Sequence, residues 1–171
     1  MNYFGDFNSH SCVKTCPEGF FGDFESEEKG PLCVSLCHGN YYGDQISRLC
    51  VLNCPEDYNK DDVTKLCVSE CTEGYFENPL TATCVPDCPE NYFADKITKS
   101  CTKVCSEGFF GDQQTRRCGS KCPQDFYADP ALHLCVLTCS EGYFGNSLNF
   151  ICERNCPDKW FADSLAHICT K

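Results

Sequence analysis

The apolar positions of this chain come as aromatic couplets set at a fixed distance behind a cysteine. Counting from the second cysteine of each C-x-x-x-C pair, the fifth residue is always aromatic: Phe20, Tyr41, Tyr58, Tyr75, Tyr92, Phe109, Phe126, Tyr143 and Trp160. The sixth is aromatic everywhere except at Asn59, and the eighth is always Asp or Asn, from Asp23 and Asp44 through to Asp163. Val often follows the first cysteine, as at Val34, Val51, Val68, Val85 and Val136. Aromatics suit a pleated surface, and Asp can bond its own backbone two residues on and so start a turn. In Cys88 to Cys101 this predicts a strand over Asn91 to Ala94, a turn at Asp95 and a return strand from Thr98 to Cys101. Each module is thus expected to be a β-hairpin closed at its cysteine end.

Cysteines 33, 50, 67, 84, 101, 118, 135, 152 and 169 recur every 17 residues, and a second column follows four residues behind. Such a period marks a repeat architecture. A slower period of 34 overlies it. Pro17, Pro55, Pro89, Pro123 and Pro157 follow the second cysteine in alternate modules, where the interleaved ones carry His38, Thr72, Ser106 and Ser140. The interleaved set also favours Gly before the aromatics (Gly74, Gly108, Gly142). Neighbouring modules therefore occupy two environments, and we infer that they point alternately to opposite sides. The expected fold is a small, disulfide-rich, all-β array of tandem 17-residue hairpins, with a 34-residue super-repeat, forming an elongated solenoid-like rod with nearest-neighbour contacts. Its divisions are a truncated module over 1–12, a long module over 13–33 and eight regular modules over 34–171, one continuous array within a longer chain.

With 19 cysteines in 171 residues, the composition points to an oxidising compartment, extracellular or at the cell surface. The net charge of -11 argues against nucleic acid or an anionic membrane as partner. No apolar run is long enough to insert in a membrane. The first residues, MNYFGDFNSHSCVK, lack the basic and apolar regions of a signal peptide.

Two connectivities respect the cysteine spacing. One interlocks cysteines one-to-three and two-to-four across neighbouring units. The other joins the second cysteine of each pair to the first of the next: Cys16–Cys33, Cys37–Cys50, Cys54–Cys67, Cys71–Cys84, Cys88–Cys101, Cys105–Cys118, Cys122–Cys135, Cys139–Cys152 and Cys156–Cys169. The second is favoured, because it makes every module equivalent and leaves out only Cys12. Each bond would close a loop of roughly 14 residues, worth about 3 kcal/mol in the chain-entropy account. A unit with two aromatics has too little core to fold without such a staple. Aligning Asn2 to Asp6 on Asn91 to Asp95 puts the expected partner of Cys12 upstream of Met1, so Cys12 is expected to be unpaired or intermolecular.

The string CVPDCPENYFADKITKSC (84 to 101) resembles the single-disulfide modules of furin-like, growth-factor-receptor cysteine-rich regions. The likeness covers essentially the whole chain, and it implies the same bonding and a rod of modules. Receptors mix single- and double-disulfide modules. The monotony here is more similar to the cysteine-rich repeat surface proteins of ciliates and other protists.

Other chemistry finds less support. Two C-x-x-x-C pairs could form a four-thiolate zinc site, but zinc usually comes with tighter loops and a reducing compartment. Asp23, Glu25, Glu27 and Glu28, and again Glu56, Asp57, Asp61 and Asp62, are acidic clusters without an EF-hand pattern, read as solvated turns. His10, His133 and His167 stand two before a closing cysteine and His38 elsewhere; the column reads as a packing feature on a strand face. No histidine is set beside a nucleophile and an orienting acid, so catalysis is not expected and no cofactor is implied. Thr64, Thr81, Thr98 and Thr115 form a column that β-propensity explains. No N-x-[ST] sequon occurs. The expected function is that of an extracellular structural repeat protein (fibre, surface coat or spacer), its partner itself or another extracellular protein. The alternative is a ligand-binding or adhesion ectodomain, with the insertion around Glu25 to Gly30 as the place to look.

Overall fold

The computed structural model describes residues 3–24 and 30–171, and among them every regular element is a three-residue strand. The insertion from Glu25 to Lys29, with the acidic residues expected there, lies outside the described residues. The chain forms two compact units, residues 1–86 and 87–171. The first holds β1 (Phe4–Asp6), β2 (Ser11–Val13), β3 (Phe21–Asp23), β4 (Leu32–Val34), β5 (Tyr42–Asp44), β6 (Leu49–Val51), β7 (Asn59–Asp61), β8 (Leu66–Val68), β9 (Phe76–Asn78) and β10 (Thr83–Val85). The second holds β11 (Phe93–Asp95), β12 (Ser100–Thr102), β13 (Phe110–Asp112), β14 (Arg117–Gly119), β15 (Tyr127–Asp129), β16 (Leu134–Val136), β17 (Phe144–Asn146), β18 (Ile151–Glu153), β19 (Phe161–Asp163) and β20 (Ile168–Thr170).

The strands lie one or two residues later than the aromatic pattern alone suggests. In the Cys88 module, Tyr92 N–H donates to the Pro89 carbonyl at 3.1 Å and closes a tight turn in which Asn91 has φ 63°. Such a residue cannot be extended, so the strand opens at Phe93 and not at Asn91. At the other end Lys99 has φ 54°, and the return strand starts at Ser100 and not at Thr98. Between them stands the turn that Asp95 starts, its Oδ1 accepting the Ile97 N–H at 2.8 Å. The corresponding turns in other modules also close backbone to backbone, as in Arg48 N–H to the Asp44 carbonyl at 2.9 Å.

Within each hairpin the two strands are antiparallel, as in Phe21↔Val34 and Phe93↔Thr102. The first strand of one hairpin then pairs in parallel with the second strand of the next. This joins β1 to β4, β3 to β6, β5 to β8 and β7 to β10 in the first unit. In the second it joins β11 to β14, β13 to β16, β15 to β18 and β17 to β20. An antiparallel step followed by a parallel one reverses direction at every module. Consecutive hairpins in a unit therefore point opposite ways, as the 34-residue alternation implied.

Nine disulfides join Cys16–Cys33, Cys37–Cys50, Cys54–Cys67, Cys71–Cys84, Cys88–Cys101, Cys105–Cys118, Cys122–Cys135, Cys139–Cys152 and Cys156–Cys169, with Cα atoms 5.4–5.7 Å apart. The core is a series of small clusters built on these bonds. The sixth-position ring packs on the disulfide of the following module: Phe4 on Cys16 and Cys33, Phe21 on Cys37 and Cys50, Phe93 on Cys105 and Cys118. The fifth-position ring of that module (Phe20, Tyr41 or Phe109) covers the same disulfide from its own side. Burying such a ring contributes about 2–3 kcal/mol. A module thus owns one staple and half of two small cores.

Candidate functional site

Among the described residues the repeated polar contacts gather at the seams between modules. Each described turn begins with a buried or half-buried Asp or Asn whose Oδ1 accepts the amide two residues on, from Asn8 N–H on Asp6 at 3.0 Å to Leu165 N–H on Asp163 at 2.9 Å. The use of Oδ2 alternates with the 34-residue period. In Pro-bearing modules it reaches across the seam: Asp95 accepts both the N–H and the O–H of Ser106, at 2.8 and 2.6 Å, and Asp129 binds Ser140 with the same two distances. Asp61 accepts the Thr72 hydroxyl, and His38 Nδ1 lies 2.6 Å from Asp23 Oδ2. Where the next module begins with Pro, no donor is offered. There the Oδ2 of Asp6, Asp44 or Asp112 accepts the hydroxyl of Ser9, Ser47 or Thr115 in its own turn, or the residue is Asn (Asn78, Asn146).

Asp61, Asp95 and Asp129 are almost wholly buried, at 0%, 1% and 0% exposure. Burial pushes each carboxyl up, but the bonds from Thr72, Ser106 and Ser140 and from the turn amides outweigh it. All three are held below the ordinary carboxylate value. A neighbouring pair behaves differently. Tyr42 O–H donates to Asp62 Oδ1 at 2.8 Å, as does Lys65 Nζ at 2.7 Å. Burial first, and the Asp62 bond second, push the phenol up to about 12.

A second recurring piece of geometry sits two residues before the closing cysteine, the long module with Pro31 excepted. Arg48, Lys65, Ala82, Arg116, His133, Phe150 and His167 all have φ between 49° and 58°. Each presents its carbonyl to the middle amide of the preceding module, for instance Gly22 N–H to Arg48 at 2.8 Å and Gly145 N–H to His167 at 2.8 Å. The histidine column expected on a strand face is therefore in this left-handed turn, with φ 50° at His10, 55° at His133 and 53° at His167. The His167 ring lies on Phe144, centroids 6.3 Å apart and 23° from parallel. His38 alone among the four histidines meets a carboxylate at a seam. The threonine column also falls in the turns, so hydrogen bonding in place of β-propensity accounts for it, as where Thr115 donates to Asp112.

In four modules the fifth-position ring carries a cation. Lys14 lies over Tyr3, Lys103 over Tyr92, Arg154 over Tyr143 and Lys171 over Trp160, at 5.2–5.9 Å. These columns therefore act as seam cores with charged covers. Among the described residues no three His, Cys, Asp or Glu side chains converge as a metal site would need. Cys12 is a free, exposed thiol on β2. Compared with protein-family models, curated proteins and solved structures, the chain finds no match. The class is thus defined by the fold itself: a tandem array of single-disulfide β-hairpins joined by repeated seams.

Proposed function

We propose that this chain is an extracellular structural repeat, a spacer or coat segment whose length scales with the number of modules. What supports the reading is the sameness of the seams. The amide-to-turn carbonyl bond and the parallel pairing recur from module to module in both units, and in both a sixth-position ring packs on the next disulfide, Asn59 being the exception to the aromatic column. A contact that repeats without change makes an array extendable by whole modules. Nine staples in an exported protein also fit resistance to proteases and reductants outside the cell. Partners in this reading are further copies of the chain or other extracellular proteins.

The test is length. A variant lengthened by one 34-residue pair, inserted at a Cys–Cys linker, adds four strands at about 4.8 Å each. Small-angle scattering should then show the maximum dimension growing by roughly 19 Å at unchanged cross-section. A cross-section that thickens while the maximum dimension stays fixed would defeat the spacer reading.

A further inference from the structure

Uniform seams make the exceptions informative, and two seams depart from the rest in the same way. They lie four modules apart, one in each unit. At the first, Glu18, Gln45 and Arg48 stand around an open cleft of about 340 Å³ with Phe21 and Leu66 in its wall. At the second, Glu90, Gln113 and Arg116 stand around a cleft of about 420 Å³ with Phe93 and Leu134 in its wall. The members correspond one to one in the repeat, and the strings GDQISRLC and GDQQTRRC carry two of the three polar groups. The two seams of the same phase, at Thr72 and Ser140, lack the set, with Pro79 and Ala82, or Ser147 and Phe150, in place of Gln and Arg.

Each arginine is held ready. Its backbone is in the left-handed turn, and Nη1 donates to a cysteine carbonyl of the preceding module, Arg48 to Cys16 at 3.3 Å and Arg116 to Cys88 at 2.9 Å. One nitrogen is thereby anchored, leaving the rest of the guanidinium fork for another partner. A carboxylate and a guanidinium stand in each cleft, and the second adds Lys103, which lies over the Tyr92 ring. They suit a neutral ligand whose groups both donate and accept hydrogen bonds, as hydroxyls do. The apolar wall suits a ligand with a C–H face, and the volumes lie in the range of small-molecule sites.

We propose that these are twin sites for a neutral sugar, one in each unit, with Glu18, Gln45 and Arg48, and Glu90, Gln113 and Arg116, binding its hydroxyls. This goes beyond the structural reading, which stands whether or not the clefts are filled.

The experiment is amide-resolved NMR of the intact, oxidised chain titrated to millimolar concentrations with lactose, cellobiose and N,N′-diacetylchitobiose in turn. The expected result is saturable shifts at Gly19, Gln45 and Arg48 and at Asn91, Gln113 and Arg116, with none at Ala82 or Phe150. Arg48→Ala should abolish the first set alone and Arg116→Ala the second alone. The exposed substitutions Gln45→Ala and Gln113→Ala, which remove no seam bond, should each weaken their own cleft at least tenfold. Shifts spread evenly over all seams, no shifts with any of the three sugars, or saturation by a short peptide instead, would each overturn the assignment.

Discussion

At the scale of single residues, the turn Asp is two different residues according to its phase in the 34-residue period. Asp129 is buried and accepts the N–H and O–H of Ser140 across the seam. Asp112 spends its second oxygen on Thr115 in its own turn. Asp129→Asn places an amide against two donors and is expected to cost about 2 kcal/mol. Asp112→Asn repeats what Asn78 and Asn146 already do before a Pro module, and should cost less than about 1 kcal/mol. Urea denaturation of the oxidised variants compares the two, and equal losses would contradict the alternation. The pH dependence follows from the same groups. Asp61, Asp95 and Asp129 have folded values below the unfolded one, so the unfolded chain binds more protons as the medium becomes acid. Their contribution is complete above the unfolded value, about 3.9, and is lost as pH falls through the folded values. Asp129→Asn should flatten this acid limb in denaturation series from pH 6 to pH 3; a limb of unchanged slope would assign the acid sensitivity elsewhere. Ala82 offers a gain instead. It holds φ 49° with no side chain to pack beyond Cβ, so Ala82→Gly should stabilise by about 1 kcal/mol, by relief of the left-handed strain.

At the scale of the hairpin, the residue facing the preceding ring sets how closely modules approach. A Cβ built on Gly111 would lie 2.8 Å from the Phe93 ring, and one on Gly145 2.7 Å from the Tyr127 ring. Gly111→Ala is expected to cost about 1–3 kcal/mol through forced repacking, and Phe93→Leu in the same chain should recover part of it. A double variant no better than the single one would mean that the ring is not the obstacle. The sequence made much of this level legible. The 17-residue period and the aromatic-then-Asp order define an all-β hairpin array, and the Pro versus Ser/Thr/His alternation announces reversal of direction. It concealed the strand limits, because Asn91 and Lys99 adopt left-handed conformations that residue type alone does not announce, as glycine would have done. It also concealed the seam chemistry. Asp95 and Ser106 are 11 residues apart in sequence, and only the parallel pairing between hairpins brings them together. The same blindness applies to the arginines, since Arg48 meets the Cys16 carbonyl 32 residues away.

At the scale of the molecule, stability built from like seams is expected to fail locally and not all at once. The ring of each module rests on the staple of the next, so removing one staple should loosen the two seams that touch it and leave more distant ones intact. The Cys105–Cys118 bond tests this within the second unit. Cys105→Ser with Cys118→Ser removes a 13-residue separation closure, worth about 3 kcal/mol in the chain-entropy account, and uncovers the Phe93 and Phe109 rings that lie on it. Amide hydrogen exchange should then lose protection where those seams hold it, at Ala94, which donates to Arg116, and at Gly111, which donates to His133. Gly145 lies two modules beyond Gly111, and its amide, which bonds His167 of the next module, should exchange as before. A single cooperative core would lower protection at Ala94, Gly111 and Gly145 by the same factor. That outcome would mean that the modules of the unit fold as one body and that additivity module by module, on which a length-scaling spacer depends, does not hold.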